Sequence, residues 1–220
     1  MRIFIATAKL DDIRWAHEHG LVDGVLTTPS LLTAQVHPAG ANELLADICR
    51  VAAFPVAMTV GAVHANEIYR DAKELSKLSD QAIVQIPFVE DAISTMKRLR
   101  SEGVRVAATL VFNAAQALLA AKAGASMVCV HVDQLDSQGQ DGIETIAQIH
   151  SVFELHGVEC DVLAAMPRNA AQFTGCALAG ADAIAVASDV LRALLLHPLT
   201  DRGLDQFLTD LSRTHRTRVT

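Results

Sequence analysis

Aromatic side chains are scarce: Phe, Trp and Tyr together make up 4% of the 220 residues. A core built around rings is therefore excluded. The chain is nonetheless 51% hydrophobic, so Ala, Val, Leu and Ile must do the filling, as they do between parallel strands and covering helices. The four cysteines (Cys49, Cys129, Cys160, Cys176) form no CxxC pair and lie far apart, which suits reduced thiols better than a disulfide framework. No apolar run approaches the roughly 20 residues of a transmembrane helix. Met1 leads straight into Arg2-Ile3-Phe4-Ile5 without the apolar region of a signal peptide, so the chain reads as soluble and cytoplasmic. Positive charge is also short. The net charge of −7 argues against nucleic acid or a membrane as partner, and the basic stretch Arg213, His215, Arg216, Arg218 reads as a solvated tail.

What is present is a repeated punctuation. A helical stretch ends at a glycine and a short apolar run follows, at Gly20, Gly103, Gly124, Gly157 and Gly180. Glycine accepts the left-handed conformation that closes a helix. The runs that follow are Gly24–Thr28, Val104–Val111, Met127–Val132, Cys160–Ala165 and Ala183–Ala187. With Ile3–Thr7, Val56–Val60 and Ala82–Pro87 they give eight strands, and helical segments separate them. Strict alternation implies parallel strands joined by right-handed crossovers. Eight units in a chain of this length predict a (β/α)8 TIM barrel, one domain over residues 1–220, with residues 199–220 as an added C-terminal helix and tail. An open doubly wound sheet is the alternative, and no GxGxxG follows the first strand to support it.

Chemistry in such a barrel sits at the C-terminal strand ends, on inward side chains. Polar residues inside apolar strands choose the inward parity, because between sheet and helices they would lack partners. That selects Thr28, Thr59, Gln85, Thr109, and His131 with Asp133 two residues further along strand six. Cys129 shares their face, Ala6 stands at the same level on strand one, and Met166 and Arg168 follow strand seven. A strand threonine is more often structural than catalytic, but a long amide in the middle of Ala82-Ile83-Val84-Gln85-Ile86-Pro87 demands a polar cavity.

In order and spacing the chain resembles the small transaldolases, and among them fructose-6-phosphate aldolase, over essentially its whole length. The matching stretches are Gly24-Val25 with Thr27 and Pro29-Ser30, Ile86-Pro87, Gly103 to Thr109, Ala114-Ala115-Gln116, Leu135-Asp136 with Gln138-Gly139 and Gly142-Ile143, Leu163-Ala164-Ala165, and Asp189-Val190. The resemblance implies aldol chemistry through an imine on a strand-four lysine. Carried over residue by residue, that lysine falls at Gln85, the assisting aspartate at Ala6, the asparagine at Thr28, the tyrosine at His131 and the water-holding glutamine at Thr59. Thr109 is retained. Of the phosphate-binding positions, the arginine falls at Gln134 and the serine at Met166, and Arg168 keeps a basic group. An amide nitrogen is not nucleophilic, so no imine forms at Gln85, and five or more pocket positions differ together.

Three functions follow. The first is an enzyme of altered mechanism on a small carbonyl or sugar (phosphate) substrate, with His131 as general acid/base, Asp133 orienting or charging it, Gln85 and the threonines binding oxygens, and Arg168 holding an anion. The second is conventional aldolase or transaldolase activity through another nucleophile such as Lys9. The third is a non-catalytic metabolite-binding homologue. No cofactor motif is present. His64, His131 and Asp133 are ligand types without ligand spacing, so no metal is expected. Leu204, Phe207, Leu208 and Leu211 form an apolar stripe on the last helix. The resemblance implies that this helix reaches a neighbouring subunit in a homo-oligomer, with rings of five paired into a decamer.

Overall fold

A computed structural model describes residues 1–217, with side chains described through residue 212. Eight parallel strands close into a barrel in sequence order: β1 (Arg2–Ala6), β2 (Gly24–Leu26), β3 (Val56–Thr59), β4 (Ala82–Pro87), β5 (Val106–Thr109), β6 (Met127–His131), β7 (Asp161–Ala165) and β8 (Ala183–Ala187). β8 pairs back onto β1 from Arg2 opposite Ala183 to Ala6 opposite Ala187. The covering helices are α1 (Leu10–Glu18), α2 (Pro29–Thr33), α3 (Ala41–Val51), α4 (Ala65–Ser76), α5 (Glu90–Ser101), α6 (Ala114–Lys122), α7 (Val132–Ser137), α8 (Gly142–His156), α9 (Ala170–Leu178), α10 (Ser188–Ala193) and α11 (Pro198–Thr217). The architecture is the TIM barrel with an added C-terminal helix that the alternation predicts.

All five glycines that end the helical stretches have positive φ, from +60° at Gly157 to +107° at Gly124. They stop each helix so that the next strand starts at the same level. Alternation then divides the apolar residues into two shells. The outer shell joins strands to helices through Ile5, Val25, Met58, Val84, Val128 and Ile184, all fully buried. The inner shell fills the barrel with small residues and a few large ones: Phe4, Ala6, Leu26, Ala57, Ile83, Ala107, Cys129 and Leu163 among them. The ring of Phe4 occupies the floor, where a Cβ on Gly24 would overlap it. Each large side chain so enclosed contributes about 1.5–3 kcal/mol, which is how a chain poor in rings still closes a core.

Three short elements depart from the sequence reading. The second strand stops at Leu26, and Thr28 instead caps α2, its hydroxyl accepting from the Leu31 amide at 3.3 Å while Pro29 opens the helix. The fifth strand spans only Val106–Thr109, because Leu110 turns to φ +59°. The sixth ends at His131, and Asp133 lies in the first turn of α7 rather than on the strand.

The last helix spans Pro198–Thr217, within one residue of the expected start, and every described side chain from Pro198 to Ser212 is exposed. The side chains of Arg213, His215 and Arg216 and all of Arg218 lie outside the described residues. Among the described residues no helix is long and apolar enough to cross a membrane.

Candidate active site

The C-terminal strand ends bring two polar groups into the barrel mouth. On one side, register sets Thr59 of β3 beside Gln85 of β4. Gln85 is 2% exposed, and its amide nitrogen donates to the Thr27 carbonyl at 3.1 Å and to Thr59 Oγ1 at 3.3 Å. Thr59 passes its own proton to the same carbonyl at 3.3 Å. Thr27 is locked in turn, since its hydroxyl and its amide both donate to Ala57 O, at 2.9 and 2.8 Å. Both N–H groups of Gln85 are therefore spent on the protein, and Oε1 accepts nothing among the described residues. The inward placement of Gln85 is the one the sequence requires, and its main anchor, a backbone carbonyl, is one that side-chain reasoning misses.

Across the barrel the contacts converge on one imidazole nitrogen. Thr109 Oγ1 of β5 lies 3.3 Å from His131 Nε2, and Cys129 Sγ lies 3.9 Å from the same nitrogen. Cys129 and His131 share the inward face of β6 because they are two residues apart. Burial pushes the His131 pKa below its ordinary 6.5, and the carboxylate of Asp133 raises it in partial compensation. The imidazole is thus neutral at neutral pH. Burial lifts the Cys129 thiol to about 12, with Asp133 adding to the rise and a hydrogen bond from Thr109 opposing it. That sulfur stays protonated and is a packing group rather than a nucleophile.

Although α7 takes Asp133 off the strand, its charge still acts on both inward residues of β6. Its Oδ1 is buried and has no hydrogen-bond partner among the described residues. Arg168, on the exposed rim after β7, donates from a terminal guanidinium nitrogen to the Asp133 backbone carbonyl at 3.0 Å. Ala6 ends β1 on the inner face, and Leu31 and Met166 pack over the inner shell from above. Thr28, occupied as a helix cap and bonded to Ser30 Oγ at 2.9 Å, stands half-buried at the edge.

The loops after β5 and β7 are built alike. Each begins with a non-glycine residue in the left-handed region, Leu110 (φ +59°) and Met166 (φ +63°). Each then reaches an asparagine cap, where Asn113 and Asn169 accept from Gln116 N and Gln172 N, both at 2.9 Å. The glutamines return the bond to the amides of Phe112 (2.8 Å) and Arg168 (2.7 Å), a reciprocal cap at the helix start. Gln172 also donates to Asp136, whose other oxygen accepts from Gly142 N at 3.0 Å, tying α7, α8 and α9 together.

No strand carries a lysine. Lys73, Lys97 and Lys122 lie on α4, α5 and α6, Lys77 ends α4, and Lys9 is an exposed residue before α1. His64 contacts Asp91 at 3.3 Å on the open rim, and among the described residues no three His, Cys, Asp or Glu side chains group to hold a metal.

The profile described as transaldolase/fructose-6-phosphate aldolase matches residues 3–219. The chain is 36% identical over 214 residues to "Probable transaldolase 1" of Bacillus cereus, covering 97% of this chain and 99% of that one. It is 39% identical to a "Probable transaldolase" of Chelativorans sp., covering 97% and 98%. Among solved structures it matches FabK from Thermotoga maritima with a TM-score of 0.58 at 11% identity, over 84% of this chain and 57% of that one, a likeness of fold alone.

Proposed function

The chain belongs to the transaldolase/fructose-6-phosphate aldolase family, and on that premise we propose that it is an enzyme acting on a small carbonyl or sugar substrate, sugar phosphates included, without a Schiff base at residue 85. The observation that carries this reading is the bonding of Gln85: an amide seated in the barrel, with both donors committed to Thr27 O and Thr59 Oγ1. An amide lone pair is delocalised into its carbonyl and attacks no ketone. Oε1 is left to accept from a substrate hydroxyl.

Proton transfer then falls to His131. A neutral imidazole can take a proton from carbon or oxygen of the bound substrate and return it. Asp133 stabilises the imidazolium formed in between, which is the direction in which it moves the His131 pKa. Thr109 fixes the ring, and Thr28 and Thr59 meet substrate oxygens at the edge of the mouth. The free N–H groups of Arg168 receive an anionic end, while Cys129, Met166 and Ala6 set the shape of the space. Lys9 is exposed just past β1, and the reading assigns it no nucleophilic role. Neither a cofactor nor a metal enters it.

Two measurements test it. Borohydride added with dihydroxyacetone or fructose 6-phosphate should leave the mass of the protein unchanged; a trapped adduct would restore the imine route. Once a substrate is identified, His131→Ala should lower kcat by about 10²–10⁴-fold, and an unchanged rate would remove the histidine from the chemistry.

The assembly belongs to the same proposal. Leu204, Phe207, Leu208 and Leu211 are all exposed along α11. A stripe of that kind needs a cover, and a neighbouring subunit of a homo-oligomer, with the decamer as its full form, provides one. A monomer in light scattering would refute it.

A further inference from the structure

Beside the mouth, α2, α3 and α4 enclose a cavity of about 450 Å³. Leu32, Leu45 and Leu75 give it apolar walls, Asp71 and Glu74 line it from α4, and Thr59 closes the side toward the barrel. That threonine is the one whose hydroxyl accepts from Gln85 Nε2. Thr59 therefore both lines the cavity and bonds the amide in the mouth. We propose that this cavity is a second subsite, which takes the uncharged, hydroxyl-bearing end of the substrate.

The chemistry of the lining selects that ligand. Carboxylates only accept hydrogen bonds, so the occupant must bring donors. Among the described residues no Lys, Arg or His lines the space. The cations that touch the two carboxylates stand outside it, on the same helix and its cap: Arg70 reaches Asp71 at 3.6 Å and Lys77 reaches Glu74 at 2.6 Å, both largely exposed. A phosphate or carboxylate placed here would meet two like charges whose partner cations do not face the space. Hydroxyls can donate to Asp71 and Glu74 while the carbons between them lie against the leucines. The volume lies within the roughly 300–1,000 Å³ of ordinary small-molecule sites. The inference rests on the barrel mouth being the reacting centre, since it makes the cavity an extension of that site.

Equilibrium dialysis with D-glyceraldehyde and D-glyceraldehyde 3-phosphate separates the outcomes, because neither binding measurement requires turnover. With Arg168→Ala, which removes the anion-binding group at the mouth, the protein should bind the aldehyde at least roughly tenfold more tightly than its phosphate. Asp71→Asn with Glu74→Gln should narrow that ratio to less than about threefold, by removing the repulsion. Asn42→Trp, at an exposed edge of the cavity, should weaken aldehyde binding about tenfold by occupying the space, with an unchanged Tm as the control for folding. Equal binding of the two probes, or a preference for the phosphate, would overturn the subsite. So would a ratio indifferent to the amide substitutions, because the two carboxylates would then not be its source. If Asn42→Trp altered only the mass in light scattering, the cavity would be a contact between copies and the subsite would fall. Full turnover by His131→Ala with weakened binding by Asn42→Trp would instead sink the mouth mechanism and leave the subsite standing.

Discussion

The β4 side of the mouth and the β6 side are both polar, yet they are bonded in opposite ways. Around Gln85 every donor is matched, with Thr27 O receiving from both the amide and Thr59. Around His131 one ring nitrogen is shared by a hydroxyl at 3.3 Å and a thiol at 3.9 Å, and the carboxylate that influences the ring keeps one buried oxygen without a partner. The difference teaches where each kind of work can be done. A satisfied network holds shape, and a group that must change protonation needs a neighbourhood that has not already settled its charge. On the proposed function, the anchoring role lies on β4 and the proton-handling role on β6.

Three changes would break or sharpen that contrast. Gln85→Leu should cost about 1–3 kcal/mol in urea denaturation, because it leaves Thr27 O and Thr59 short of a donor in a buried place. Thr109→Val on the opposite side should cost less than about 1 kcal/mol, since it removes one contact to His131, where Gln85 loses two. A larger loss at Thr109 than at Gln85 would reverse the assignment of the rigid side.

Next in size is the response to acid. The unfolded chain protonates His131 near its ordinary pKa, whereas the folded chain resists until a lower pH. Between those two values the unfolded state binds more protons, so stability falls as pH falls. Urea midpoints of the parent should drop from about pH 7.5 to 5.5 more steeply than those of His131→Asn. Identical slopes would show that the ring carries no depressed pKa.

The smallest effect is expected at Asp133→Asn. Losing the carboxylate removes the influence that raises the His131 pKa, so the acid limb of the kcat/KM profile should move to lower pH with little change at its plateau. A shift to higher pH would show that Asp133 acts on the ring in some other way.

Much of this architecture was legible beforehand, and the particular residues explain why. Glycines at 20, 103, 124, 157 and 180 announce the strand starts because their backbone conformation is costly for other residues. Gln85 announces the inward parity because its amide has no partner outside the barrel. The helices α2 and α7, of five and six residues, are too short to show a period, so Thr28 and Asp133 read as strand continuations. The part of Thr27 in the site is not legible because what it contributes is a carbonyl, which every residue has.

The matched loops after β5 and β7 carry one more implication. Their glutamines accept from the amides of Phe112 and Arg168, a main-chain bond indifferent to the side chain that follows it. One loop uses that freedom to seat a ring against the core, the other to expose a guanidinium, so charge at position 168 could be exchanged by evolution or a designer while the instructions for starting α9 stay as they are.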